Sequence, residues 1–167
     1  MDRAALILRY AAGYEAVTDA LAGITDDELD HRPSPAEWTA RQIVHHLADS
    51  ETNSYLRLRM LLATPGYVVQ PYDQDGFAAH PLLGYDRPIA VSLAVLEAVR
   101  ASSLDLLARL DDDDLRRSAR HPEHDSPYTL ALWLRIYADH PHDHADQIRA
   151  ARHDHAAAQV RSGALRR

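Results

Sequence analysis

Apolar residues recur at three- and four-residue spacing along most of the chain and nowhere alternate convincingly, a pattern that predicts amphipathic helices and no good strand. Ile7, Tyr10, Tyr14, Val17 and Leu21 place one stripe on a first helix over 3–22, which Gly23 ends. Thr25 followed by Glu28 suggests a short capped turn, and Arg32-Pro33-Ser34-Pro35 breaks the chain. Ser34 as N-cap, Pro35 at the first helical position and Glu37 three residues on then predict a second helix to about residue 63. Residues 64–87 read as a long connection, expected to pack over one end of the molecule because structureless loops of that length are uncommon. Pro88 opens a third helix with Ile89, Leu93, Leu96, Val99, Ser103, Leu107 and Leu110 on one side. It ends at the acidic run 111–114, which reads as a solvated turn starting a short helix, because successive side chains there diverge. After a second connection, HPEHDSPYTL, a fourth helix runs from about 129 to beyond 152. The sum is an all-α four-helix bundle with long connections between helices 2–3 and 3–4. It forms a single domain over 1–167, with the last dozen residues expected to fray.

Composition narrows the chemistry. At 167 residues and 46% hydrophobic content the chain suffices for one core without a staple. It has no cysteine, which removes disulfides, thiol nucleophiles and sulfur-ligated zinc. It also has no lysine, which removes Schiff-base chemistry and the lysine of a phosphate loop. A net charge of -7 without a basic stripe argues against nucleic acid. The first residues lack a signal peptide's apolar core and no apolar run is long enough to span a bilayer, so the expectation is cytoplasmic.

Eleven histidines invite a metal, and helical geometry selects among them. With about 100° per residue, His140 and His144 lie roughly 40° apart, one turn from each other on one face. That face also carries Trp133, Ile136, Tyr137 and Ile148, so the pair faces the core while His142 and His153 point away. On the second helix, Ile43, Leu47, Leu58 and Leu61, with Ser50 and Ser54, define the buried side. His46 lies at its edge and faces inward; His45 lies nearly opposite. Three imidazoles from two helices would leave positions open for water or substrate, as catalytic metal sites do. Hydrogen-bonded core histidines are the alternative.

EWTARQIVHHLADSETNSYLRLRMLL, YDQDGFA and HPEHDSPYTLALWLRIYADHPHDHADQI together resemble the DinB/YfiT-like family of bacterial metal-binding bundles. The most specific parts are Trp38-Thr39-x-Arg41 leading into His46-Leu47-Ala48-Asp49-Ser50-Glu51, and His140-x-x-x-His144-x-x-Gln147-Ile148. The resemblance implies one divalent ion, zinc or nickel, on His46, His140 and His144 at one end of an up-down-down-up bundle, and a homodimer. It also implies hydrolase activity or transfer of a low-molecular-weight thiol. The sequence departs in one place: Pro141 follows a ligand directly, and a helix-interior proline lacks a backbone donor. The apolar pattern keeps its phase from Trp133 to Ile148, so the helix is expected to continue through a bend.

Asp49, Glu51 and Gln147 are candidates to orient an imidazole or accept a proton, and Arg57 to neutralise an anionic substrate. Asp49, Glu51 and Arg57 read equally well as surface charges. In the long connection with Tyr67, Tyr72 and Phe77, the YDQDGFA segment reads as a packed structural plug; the alternative is that the connection roofs the site. The rival functions are a non-enzymatic metal-binding or stress-response protein and a metal-free helical interaction module.

Overall fold

A computed structural model of the chain describes residues 2–123 and 125–164. Four long helices dominate: α1 (Arg3–Leu21), α3 (Ala40–Ala63), α5 (Ala90–Leu107) and α6 (Leu130–Ala164). Two short ones, α2 (Asp26–Asp30) and α4 (Gln74–Ala79), lie in the connections. A two-residue antiparallel ladder joins β1 (Ser118–Ala119) to β2 (Tyr128–Thr129) ahead of α6, a small exception to the strand-free expectation. α6 is helical to Ala164; the rest of the stretch expected to fray, 165–167, lies outside the described residues.

Local chemistry sets the ends. Asp2 caps α1, accepting from the Ala5 amide, and Gly23 follows its end at φ +67, a left-handed conformation that glycine reaches without strain. Thr25 and Glu28 form the expected capping box at the start of α2. The second long helix begins later than expected. Ser34 only closes a turn, its carbonyl accepting from the Glu37 amide at 3.1 Å. Thr39 is the N-cap, and Thr39 with Gln42 forms a reciprocal box that satisfies two orphan donors. The acidic run is a turn in which Asp111 Oδ1 accepts from the amides of Asp113 and Asp114, both at 2.9 Å, leading into a single 3-10 turn over Asp114–Arg116. α6 passes through Pro141 without a break.

The directions of the long helices follow from which residues meet. His45 reaches Ser92, Glu51 reaches Arg100 and Arg59 reaches Ser102, so α3 and α5 run parallel. His142 contacts the carbonyl of Arg9, Arg149 that of Ala16 and Arg152 that of Ala20, so α1 and α6 are parallel too. Arg57 meets Tyr137 while His46 meets His140, which sets α3 antiparallel to α6. The bundle is therefore up-down-down-up, and residues 64–89 form the overhand connection that two parallel neighbours require.

Two apolar clusters fill the interior. One gathers Tyr10, Leu58, Leu107, Trp133 and Leu134; the other Val17, Val44, Leu47, Leu96 and Ile148. Along every long helix a polar or glycine position falls between them: Gly13, Glu51, Arg100 and His140. The candidate site thus sits at the waist of the bundle, not at its end as the resemblance implied.

Candidate metal centre

α3 and α6, crossing antiparallel at the waist, bring His46, His140 and His144 together. Nε2 of His140 lies 3.3 Å from Nε2 of His46 and 3.1 Å from Nε2 of His144. Imidazoles on one tetrahedral ion at 2.0–2.1 Å would hold their nitrogens about 3.3 Å apart, so the spacing fits a shared cation. It does not suit three neutral rings alone, because a proton on one Nε2 can be donated to only one neighbour. The donor set fits a divalent metal.

The surroundings keep the rings of His46 and His144 neutral. His46 is 2% exposed, and burial, followed by the nearby His144 and His140, pushes its pKa down to about 3. Burial, then His140, pushes His144 down to about 4, with Gln147 acting weakly the other way. A ligand must be deprotonated to bind a metal, and these two already are. Nδ1 of His144 lies 2.8 Å from Gln147 Oε1, an oxygen that can only accept. The proton therefore sits on Nδ1 and Nε2 is left with its lone pair toward the cluster. Trp38, just ahead of the Thr39 cap, packs at a tilt of 57° against His46 with centroids 4.7 Å apart.

Each sequence-predicted residue has a definite place. Gln147 touches a cluster ring directly. Glu51 is 1% exposed, with Oε1 at 3.9 Å from His140 Nδ1 and 2.6 Å from Arg100 Nη1, so it is no surface charge. Asp49 faces away from the cluster and accepts from the Tyr85 hydroxyl at 2.8 Å, pinning the long connection to α3. Arg57 is half-buried and donates to the Tyr137 hydroxyl at 3.2 Å and the Gln70 carbonyl at 2.9 Å; among the described residues it has no carboxylate partner.

Three expectations are corrected. His45 is buried, not opposite the core: its Nδ1 meets Ser92 Oγ at 2.8 Å and its Nε2 the Arg87 carbonyl at 3.0 Å. The cause is that the long connection and the start of α5 cover a second side of α3. Ile136 is 40% exposed and lies off the buried face of α6. The YDQDGFA segment fills no core position: none of the α4 residues is buried, and Tyr72, with its hydroxyl enclosed, Phe77 and Ala78 are only half-buried. Gln74 and Asp75 instead form part of the wall of a cavity of about 640 Å³ beside His144 and Gln147. Trp38, Ile43, Ala150 and Ala151 supply its apolar surface; Glu37 and Asp75 are acidic groups on it that lack an ion-pair partner among the described residues.

Arg100 was not anticipated. Its position in the apolar phase of its helix, between Leu96 and Ser103, was the available signal, because a charge there must be exposed or paired.

The model of the DinB superfamily matches residues 9–148. The chain is 35% identical over 125 residues to a protein of Oceanobacillus iheyensis named "putative metal-dependent hydrolase", covering 75% of this chain and 71% of that one. It is 32% identical over 136 residues to a Bacillus cereus protein of the same name, covering 81% and 77%. Among solved structures it is similar to YfiT from Bacillus subtilis, described as a probable metal-dependent hydrolase with an unusual four-helix bundle topology. That likeness has a TM-score of 0.83 and 30% identity, over 89% of this chain and 85% of that one.

Proposed function

The chain belongs to the DinB superfamily, and from that premise we propose that it is a metal-dependent hydrolase of small molecules whose ion is held by Nε2 of His46, His140 and His144. The observation that carries this reading is the approach of His46 Nε2 and His144 Nε2 to His140 Nε2, at 3.3 and 3.1 Å, with no hydrogen-bond arrangement that serves all three. The printed names of its relatives supply the reaction class. An all-imidazole donor set suits zinc or nickel. A divalent ion there supplies Lewis acidity, lowering the pKa of a water or polarising a carbonyl.

The protein's own groups do the rest. Gln147 fixes the ring orientation and tautomer of His144, and Trp38 packs the ring of His46. The cavity beside His144 admits the substrate. Its apolar wall and the carboxylates of Glu37 and Asp75 favour a neutral or cationic molecule with a hydrophobic portion over an anion. Arg57, whose charge is set among tyrosine hydroxyls rather than carboxylates, is a reserve anion contact on the Tyr137 side. Transfer of a low-molecular-weight thiol would use the same open metal positions.

A hydrolysis screen of esters and amides, run on zinc-loaded, nickel-loaded and chelator-stripped protein, tests the reading. Turnover that rises in proportion to metal occupancy supports it. Full occupancy with no turnover, or activity only when a thiol co-substrate is added, removes the hydrolase assignment.

A further inference from the structure

Arg100 joins the four long helices at one point. From α5 it donates Nη1 to Glu51 Oε1 of α3 at 2.6 Å and to the Tyr137 carbonyl of α6 at 3.3 Å. Its Nη2 donates to the Tyr10 carbonyl of α1, and its guanidinium lies 3.8 Å from the Tyr10 ring centroid. Arg100 is 3% and Glu51 1% exposed.

Pro141 explains why the Tyr137 carbonyl is available. In an uninterrupted helix that carbonyl accepts from the amide four residues on, and the residue four on is proline, which has none. Arg100 replaces the missing donor. Gly13 makes room, since a Cβ there would lie 2.6 Å from Arg100 Nη2 and 3.0 Å from Pro141 Cγ. The proline next to a candidate ligand is thus part of the seat that holds the arginine.

Three buried polar atoms around this seat have no hydrogen-bond partner: His140 Nδ1, Glu51 Oε2 and Arg100 Nε. If His140 offers Nε2 to a metal, its Nδ1 carries a proton and needs an acceptor. Glu51 Oε1 stands 3.9 Å away, and a shift of about 1 Å brings it to hydrogen-bond distance.

We propose that Glu51 is a positioning residue of the metal centre, accepting the Nδ1 proton of His140, and that Arg100, seated by Gly13 and Pro141, fixes the Glu51 carboxylate for that task. This rests on the three-histidine reading above. It goes beyond it by giving the buried ion pair a role in metal affinity as well as in holding the bundle together. A purely structural pair differs in a measurable way: a buried ion pair replaced whole by apolar side chains of similar volume often leaves stability unchanged or raised. Metal affinity would then survive the exchange.

The test compares wild type with Glu51→Met/Arg100→Met, measuring the Zn2+ dissociation constant by competition with a chromophoric chelator and folding by circular dichroism. The folded double variant is expected to bind Zn2+ about 10–100-fold more weakly. Imidazole 15N–1H spectra of Zn2+-loaded wild type provide a second readout that does not depend on the variant folding. The Nδ1 proton of His140 should exchange slowly with water, as should that of His144 on Gln147. In the double variant only the His140 signal should be lost. A folded double variant with unchanged Zn2+ affinity overturns the proposal, as does a freely exchanging His140 Nδ1 proton in wild type. Wild type that binds no Zn2+ overturns the three-histidine reading itself, so the two failures are distinguishable.

Discussion

His46 and His144 are buried with other imidazoles as neighbours, and their pKa values fall to about 3 and about 4, against about 6.5 in an unfolded chain. Between those values the unfolded state binds more protons than the folded one, so stability rises with pH across that window. Their contribution is complete above about pH 6.5 and is lost as pH falls toward the folded values. Urea midpoints of chelator-treated protein should therefore decline from pH 7 to pH 5, before most carboxylates titrate. A His46→Asn/His144→Asn variant should show a flatter profile over the same range; an equally steep one would assign the slope elsewhere. At this scale the sequence sufficed to bring His140 and His144 to one face, because i and i+4 on a helix share a face whatever the tertiary structure. It could not reveal the Glu51–Arg100 contact, whose partners are far apart in sequence and meet only through parallel packing of α3 and α5.

Helix boundaries and faces were legible to different degrees. Two start signals compete before α3, Ser34-Pro35 with Glu37 and Thr39 with Gln42, and the second wins because both of its reciprocal bonds form. Thr39→Ala should cost about 1 kcal/mol in denaturant unfolding, whereas Ser34→Ala should cost only a few tenths; equal losses would contradict the observed boundary. The misplacement of His45 has a related cause. A single apolar stripe presumes one buried side, while α3 packs on α6, on α5 and under the connection at Arg87. Where α1 meets α5 and α6, Gly13 permits the approach. Gly13→Ala should destabilise by roughly 1–3 kcal/mol through overpacking, because the arginine it meets is tied to Tyr10, Glu51 and Tyr137 and cannot swing aside. An unchanged urea midpoint would show that the seat is looser than its hydrogen bonds indicate.

For the molecule as a whole, helical periodicity sufficed for an all-α bundle because four long stripes have few ways to bury themselves other than against each other. The long connection between α3 and α5 was legible from its lack of helical periodicity, and the parallel pairing of those helices is its reason. Less legible was the height of the site, since the two apolar clusters that bracket it appear only once all four helices are in register. A site at the waist links α3 to α6, so an ion bound there should stabilise the folded state: free Zn2+ at 100 times its dissociation constant should add about 2.7 kcal/mol to unfolding. The most direct test is the metal content of untagged protein after equilibration with Zn2+ and removal of unbound ion, for wild type and for His140→Ala, which loses the Nε2 that lies near those of both other histidines. One ion per wild-type chain and almost none in the variant is the predicted result; wild type without an ion, or a variant as fully occupied as wild type, would contradict a centre built on these three histidines.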